Sequence, residues 1–160
     1  TVGTVGLRKG SQYVLAAAKQ LRRQAEFRLV GPIRVSGDAQ KELANYTDLA
    51  GPVPRSETAE HFRWADVFLL PSLCEGSATA TYEALAYGLP VICTPNTGSV
   101  VRNGIEGFIV PPAEVSPIVE RLEELSADAD LLVRMSHAAL ERAREFTLES
   151  YAQRLLAAIK

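Results

Sequence analysis

Two carboxylates, two adjacent cations and one glycine-containing loop hold most of the chemistry open to this sequence. The loop reads Pro71-Ser72-Leu73-Cys74-Glu75-Gly76-Ser77-Ala78-Thr79 and feeds into a helix expected from Ser77 to Tyr87. A helix start exposes unpaired N–H groups and a partial positive charge, which suit phosphate. Gly76 allows a ligand to approach the backbone closely. Ser77 and Thr79 add hydroxyl donors. Lys9, with Arg8 beside it, lies after the first apolar run and could face the same anion from the other side. Glu75 and Glu83 have seven residues between them; eight helical steps would cover about 12 Å, and with Glu75 in the loop the pair is expected to span about 10 Å at most. Carboxylates repel phosphate but accept hydrogen bonds from sugar hydroxyls, so the pair suits a sugar on each side of a diphosphate. Taken singly, each feature has an ordinary reading: a helix cap, a solvated cation pair, a helix-favouring surface glutamate. Taken together they describe a nucleotide-sugar site.

The elements that must position these residues alternate along the chain. Strands are expected at Thr1–Leu7, Phe27–Val30, Thr47–Ala50, Val67–Leu70, Pro90–Cys93 and Gly107–Val110. The spacing of Val14, Ala17, Ala18 and Leu21 marks the first helix, with Ser11 as its expected N-cap. Further helices are expected over Ala39–Asn45, Glu57–Trp64, Ser77–Tyr87, Ser116–Ser126, Asp130–Phe146 and Leu148–Lys160, with Pro32–Asp38 as a polar loop. Gly88 is placed to end the fourth helix. Continuous apolar runs such as Val67-Phe68-Leu69-Leu70 fit parallel strands covered on both faces. The expected fold is therefore α/β: a Rossmann-like parallel sheet flanked by helices on both faces. In such sheets ligands bind beyond the carboxyl ends of the strands, where the loops after Val5, Leu70 and Ile92 open.

Composition narrows the function classes. The 160 residues suffice for one core, and the net charge of −2 argues against binding nucleic acid through its phosphates. No apolar run has the length of a spanning helix, and no leader pattern is present. The chain does not begin with Met, so it is expected to be part of a longer protein. Cys74 and Cys93 are expected to be reduced thiols that pack quietly, in a cytoplasmic setting. His61 and His137 have no ligand-spaced partners, so no metal site is expected. Asp128-Ala129-Asp130 has an Asp-x-Asp pattern, read here as the opening of a helix. No dinucleotide fingerprint or P-loop is present.

Glu75 through Ile92 resembles the Glu-x7-Glu segment of glycosyltransferase family 4, retaining enzymes of the two-domain GT-B fold. Ala65 to Ser72 resembles the segment before it, and Gly3 to Gly10 the opening Gly-Arg-Leu…Lys-Gly motif. Gly104 to Pro112 is similar to the later Gly-x-x-Gly-apolar-Pro segment. The resemblance covers essentially the whole chain and implies the C-terminal, donor-binding half of a GT-B enzyme, as a single nucleotide-sugar-binding domain over residues 1–160. It implies that Lys9 neutralises the donor diphosphate and that Glu75 contacts the transferred sugar. The amides of Gly76, Ser77, Ala78 and Thr79 would hold the diphosphate, and Glu83 the ribose. The base would lie against Gly51-Pro52-Val53-Pro54.

The sequence departs from the motifs at three places. Thr4 stands where an Arg often follows the first glycine, which makes Arg8 the candidate second cation. Ser77-Ala78 replaces an aromatic-glycine pair, and Thr97-Gly98-Ser99-Val100-Val101 replaces a Gly-Gly-x-Pro-Glu segment. The expected activity is transfer of a sugar from a nucleotide-diphosphate donor to an acceptor hydroxyl by the full-length protein. An N-terminal acceptor domain outside this chain would complete it, and a peripheral position at the inner membrane face is open to it. No cofactor beyond the donor is implied. A GT-B-fold sugar-nucleotide epimerase and a non-catalytic nucleotide-sugar-binding module are the alternatives.

Overall fold

A computed structural model describes residues 1–159; Lys160, expected as the last residue of the final helix, lies outside them. In chain order the elements are α1 (Ser11–Gln20), β1 (Arg28–Val30), α2 (Gly37–Ala44), β2 (Asp48–Gly51), α3 (Thr58–Trp64), β3 (Phe68–Leu70), α4 (Thr79–Ala86), β4 (Val91–Cys93), β5 (Gly107–Ile109), α5 (Ser116–Ala127), α6 (Ala129–Arg144) and α7 (Leu148–Ile159). All strand pairs are parallel. They form a β1–β2 ladder and a β3–β4–β5 ladder.

The two ladders are linked by residues 1–5. These were expected to form a continuous strand but make only isolated bridges, Val2 to Val30 and Val5 to Ile33. Gly3 and Val5 donate N–H groups to the carbonyls of Val30 and Pro32. Pro32 has no N–H to return, and Gly3 has a φ of 133°, so the pairing is broken between the two contacts. Thr1 reaches the other ladder, donating its hydroxyl to the carbonyl of Leu69. Leu7–Lys9, expected to end and follow the strand, forms a 3₁₀ turn.

The alternation of side chains along each strand divides the core in two. Leu69, Ile92 and Phe108 point to one face and pack with α1 and α5 through Val14, Ala17, Ile118 and Leu125. Phe68, Leu70, Val91 and Cys93 point to the other and pack with α3 and α4 through Phe62, Ala84 and Leu85. Helix α6 serves both sides, with Met135 in the first cluster and Ala139 in the second. Every side chain of β3 and β4 is buried, as the continuous apolar runs require.

The helix ends show how local signals worked. Ser11 is the first residue of α1 rather than its N-cap; Gly10 caps with a φ of 76°, and Ser11 Oγ accepts from the Gly6 N–H at 2.9 Å. A β-carbon on Gly10 would stand 2.0 Å from the Pro71 carbonyl oxygen, so only glycine allows these two loops to meet. Gly88 ends α4 as expected. Its N–H bonds to the Leu85 carbonyl while that of Leu89 bonds to Ala84, the paired bonds of a Schellman motif. Asp128 caps α6, its Oδ1 accepting from the Leu131 N–H at 2.8 Å. Helix α4 begins two residues later than expected, at Thr79, because Ala78 is extended and its N–H is bonded to the Thr97 carbonyl. Leu148, Tyr151, Leu155, Leu156 and Ile159 recur on one side of α7, all exposed. No helix among the described residues is long and apolar enough to cross a membrane.

Candidate functional site

Three loops meet beyond the carboxyl ends of the strands: residues 6–10, 71–78 and 94–101. Leu73 donates its N–H to the Arg8 carbonyl at 2.8 Å, which joins the first loop to the second. Glu75 and Ala78 donate theirs to the carbonyls of Asn96 and Thr97, both at 3.0 Å, which joins the second to the third. The Asn96 side-chain amide reaches back to the Leu73 carbonyl at 3.0 Å, and Thr94 Oγ1 donates to the Ser72 carbonyl.

Lys9, Arg8 and Glu75 are brought together. Glu75 Oε1 is 2.9 Å from Lys9 Nζ, and Oε2 is 2.8 Å from Arg8 Nη1. Arg8 also donates to the Cys74 carbonyl at 3.0 Å. The Glu75 and Lys9 side chains are 9% and 11% exposed, whereas Arg8 is 57% exposed. Lys9 is thus no solvated surface cation: its side chain lies across Gly3, whose β-carbon would come within 3.1 Å of Lys9 Cε. Burial pushes the Glu75 carboxyl up, but hydrogen bonds and charge from Lys9 and Arg8 outweigh it and hold the group below the ordinary carboxylate range.

The amides expected to face a diphosphate divide into two sets. Ala78 is removed from the expected donors, since its N–H is consumed by Thr97. Among the described residues, the N–H groups of Gly76, Ser77 and Thr79 have no acceptor. Ala78 has no side-chain cap to offer α4, so the start of that helix stays open. Ser77 Oγ donates to Tyr82 Oη at 3.3 Å.

Glu83 stands apart from this cluster. It lines a cleft of about 500 Å³ with Val53, Arg55, Thr58, Phe62 and Tyr87. Arg55 Nη2 is 3.7 Å from Glu83 Oε1, on a side chain almost fully exposed. The cleft includes one residue of the expected base-binding loop, Val53. A second cavity, about 490 Å³, opens near Thr1, Phe27 and Val67 at the amino ends of the strands, away from these groups.

Cys74, expected to pack quietly, is exposed, because the chain turns outward after Pro71 to bring Glu75 against its cations. Cys93 is buried as expected, and burial pushes its thiol up. Asn96 and Thr97 were not foreseen as supports of the site: their backbone carbonyls accept from Glu75 and Ala78, which no sequence pattern signals, and the Asn96 amide adds a side-chain bond to Leu73 that only the fold reveals. Arg55 was likewise unforeseen, having no motif around it.

The family model described as "Glycosyl transferases group 1" matches residues 1–128. The chain belongs to this family. It is 32% identical to a D-inositol 3-phosphate glycosyltransferase of Kribbella flavida over 92% of its length, covering 39% of that protein. It is 29% identical to the amylovoran biosynthesis glycosyltransferase AmsK of Erwinia amylovora, covering 84% of this chain and 38% of that one. This group 1 glycosyltransferase chain thus spans about two-fifths of the length of the curated relatives it matches. Among solved structures, HepE of Anabaena in complex with UDP superposes with a TM-score of 0.86 at 19% identity, over 99% of this chain and 48% of that one. The C-terminal domain of the group 1 protein LpcC from Francisella tularensis gives 0.74 at 18% identity, over 89% and 82%. The fold is that of the C-terminal half of a GT-B glycosyltransferase.

Proposed function

We propose that this chain is the donor-binding domain of a retaining glycosyltransferase, taking a sugar from a nucleotide-diphosphate donor. The observation that carries the reading is the facing of Lys9 and Arg8, held by one nearly buried carboxylate, with an amide-lined helix start on the loop that bears that carboxylate. Such an arrangement is complementary to a diphosphate and can stabilise the charge that develops on it as the sugar departs. Arg8 serves as the second phosphate cation where the family motif has an arginine and this chain has Thr4. Glu75 has two tasks on this reading: it fixes Lys9 and Arg8 before the donor arrives, and its carboxylate edge orients hydroxyls of the transferred sugar. Glu83 accepts from the ribose in the cleft beside Val53 and Tyr87, displacing the loose contact with Arg55. HepE was crystallised with UDP, which makes a uridine donor the first to try.

The acceptor site and the remainder of the catalytic machinery belong to a partner half of the full-length protein, so this chain binds donor but transfers little by itself. Titration calorimetry with UDP, GDP, ADP and the matching nucleosides tests the reading. Lys9→Ala should weaken UDP by about tenfold to a hundredfold, the worth of a charge-assisted contact, and leave uridine nearly unchanged. Glu83→Ala should weaken both ligands alike. Equal loss of UDP and uridine on removal of Lys9 would refute the phosphate role.

A further inference from the structure

Helix α6 ends against the loops of the donor site, and one residue there reaches further than the rest. Arg142 donates from Nε to the Val100 carbonyl at 3.0 Å, pairs through Nη1 with Glu145 at 2.6 Å, and lays its guanidinium over the Phe146 ring at 4.7 Å from the centroid. Its side chain is 18% exposed. A planar cation fixed by an acid, a ring and a carbonyl has little freedom left. Val100 belongs to loop 94–101, the same loop whose Asn96 and Thr97 carbonyls take the N–H groups of Glu75 and Ala78. Phe146 makes a second connection: its ring meets Tyr82 edge-on at 5.7 Å, and Tyr82 Oη accepts from Ser77 Oγ. Two separate routes therefore run from the end of α6 to the loop that carries the free amides.

We propose that Arg142 is a positioning residue for the diphosphate loop, acting through the Val100 carbonyl and loop 94–101. This inference rests on the donor-site reading above. Loop 94–101 is tied within itself by the Thr97 and Ser99 hydroxyls, but it has Val100 and Val101 where the family motif has Pro and Glu, and there Arg142 ties it to α6. With the carbonyls of Asn96 and Thr97 fixed, Glu75 and Ala78 are held by their N–H groups, and the neighbouring N–H groups of Gly76, Ser77 and Thr79 are left without acceptors among the described residues. Loss of the anchor lets loop 94–101 drift, and the segment that bears the free amides loses its fixed support before the fold is lost. The cleft around Glu83 has no residue of loop 94–101 in its lining, so nucleoside binding there is independent of the anchor.

The test is titration of UDP and uridine into the chain and its Arg142→Ala and Arg142→Lys variants, with melting temperatures alongside. Arg142→Ala should weaken UDP by about fivefold to tenfold, with uridine within about twofold of the parent. Arg142→Lys, which keeps a donor for the Val100 carbonyl, should recover part of the UDP affinity. Should Arg142→Ala fail to fold, Phe146→Leu provides the same readout through the Tyr82 route, with a smaller loss confined to UDP. Equal weakening of both ligands, or a lowered melting temperature with UDP affinity intact, overturns the proposal. A parent chain that does not prefer UDP to uridine would instead overturn the donor-site reading itself.

Discussion

The carbonyl oxygen of Gly76 lies 2.2 Å from where a β-carbon on Gly98 would stand. Gly98 also has a φ of 61°, a left-handed conformation that strains any L side chain. Beside the two hydrogen bonds that join them, loop 94–101 and the loop before α4 here press backbone on backbone. Gly98→Ala should therefore lose more than backbone strain.

Gly104 supplies the control. Its φ is 78°, but a β-carbon there meets nothing within 4 Å. Gly104→Ala should cost about 1 kcal/mol, the strain of the left-handed conformation alone. Gly98→Ala should cost about 3 kcal/mol or more and displace Gly76. Thermal melts would show a fall of about 2–4 °C for the first and roughly three times that for the second. Equal falls would show that the contact with Gly76 relaxes freely.

The ion pairs of Glu75 predict an acid response. Its carboxyl titrates lower in the folded chain than the ordinary value of 4.5. A depressed folded value means that the unfolded chain binds the proton first. The stabilisation is complete above about pH 4.5 and is lost as pH falls through the lower folded value. Glu75→Gln should flatten the acid limb of stability against pH and leave the slope above pH 6 as it was. Denaturant melts from about pH 3 to 7 would reveal it, and an unchanged acid limb would show that the pairs contribute nothing net.

The thiols should behave unequally. Cys74 is exposed and Cys93 is buried with its ionisation opposed by that burial. A thiol reagent should modify one cysteine at once and the second only on unfolding. Two fast equivalents would show that β4 opens readily. Saturation with UDP should slow the fast reaction if the donor covers the loop beside Glu75.

Much of this architecture is readable in the chain because it depends on burial and on local stereochemistry. Leu69 and Ile92 against Phe68 and Cys93 obey a two-residue period, and Gly88 stops α4 by its sign of φ. Lys9, Glu75 and the α4 start share a site because parallel strands bring their loops to one edge. What stayed hidden depends on tertiary contacts. The strand expected at Thr1–Leu7 is broken by a proline on its neighbour, thirty residues away in sequence. Ala78 looks like a free amide until the Thr97 carbonyl arrives. Arg142 is one of several arginines on an exposed-looking helix, and only the fold shows which carbonyl it meets.

The three-loop junction also bears on how the chain matures. Its strands of contact tie residue 8 to residue 73 and residue 75 to residue 96, so no early stretch of nascent polypeptide contains the whole pocket. During synthesis the cations emerge first and wait, without their acid and without the amides, until the fourth strand and the turn after it have docked. Closure over such separations is slow in entropic terms and comes near the end of the folding reaction. On the proposed reading a donor nucleotide would bind the finished molecule alone, and its presence would favour completed copies over every partly folded one.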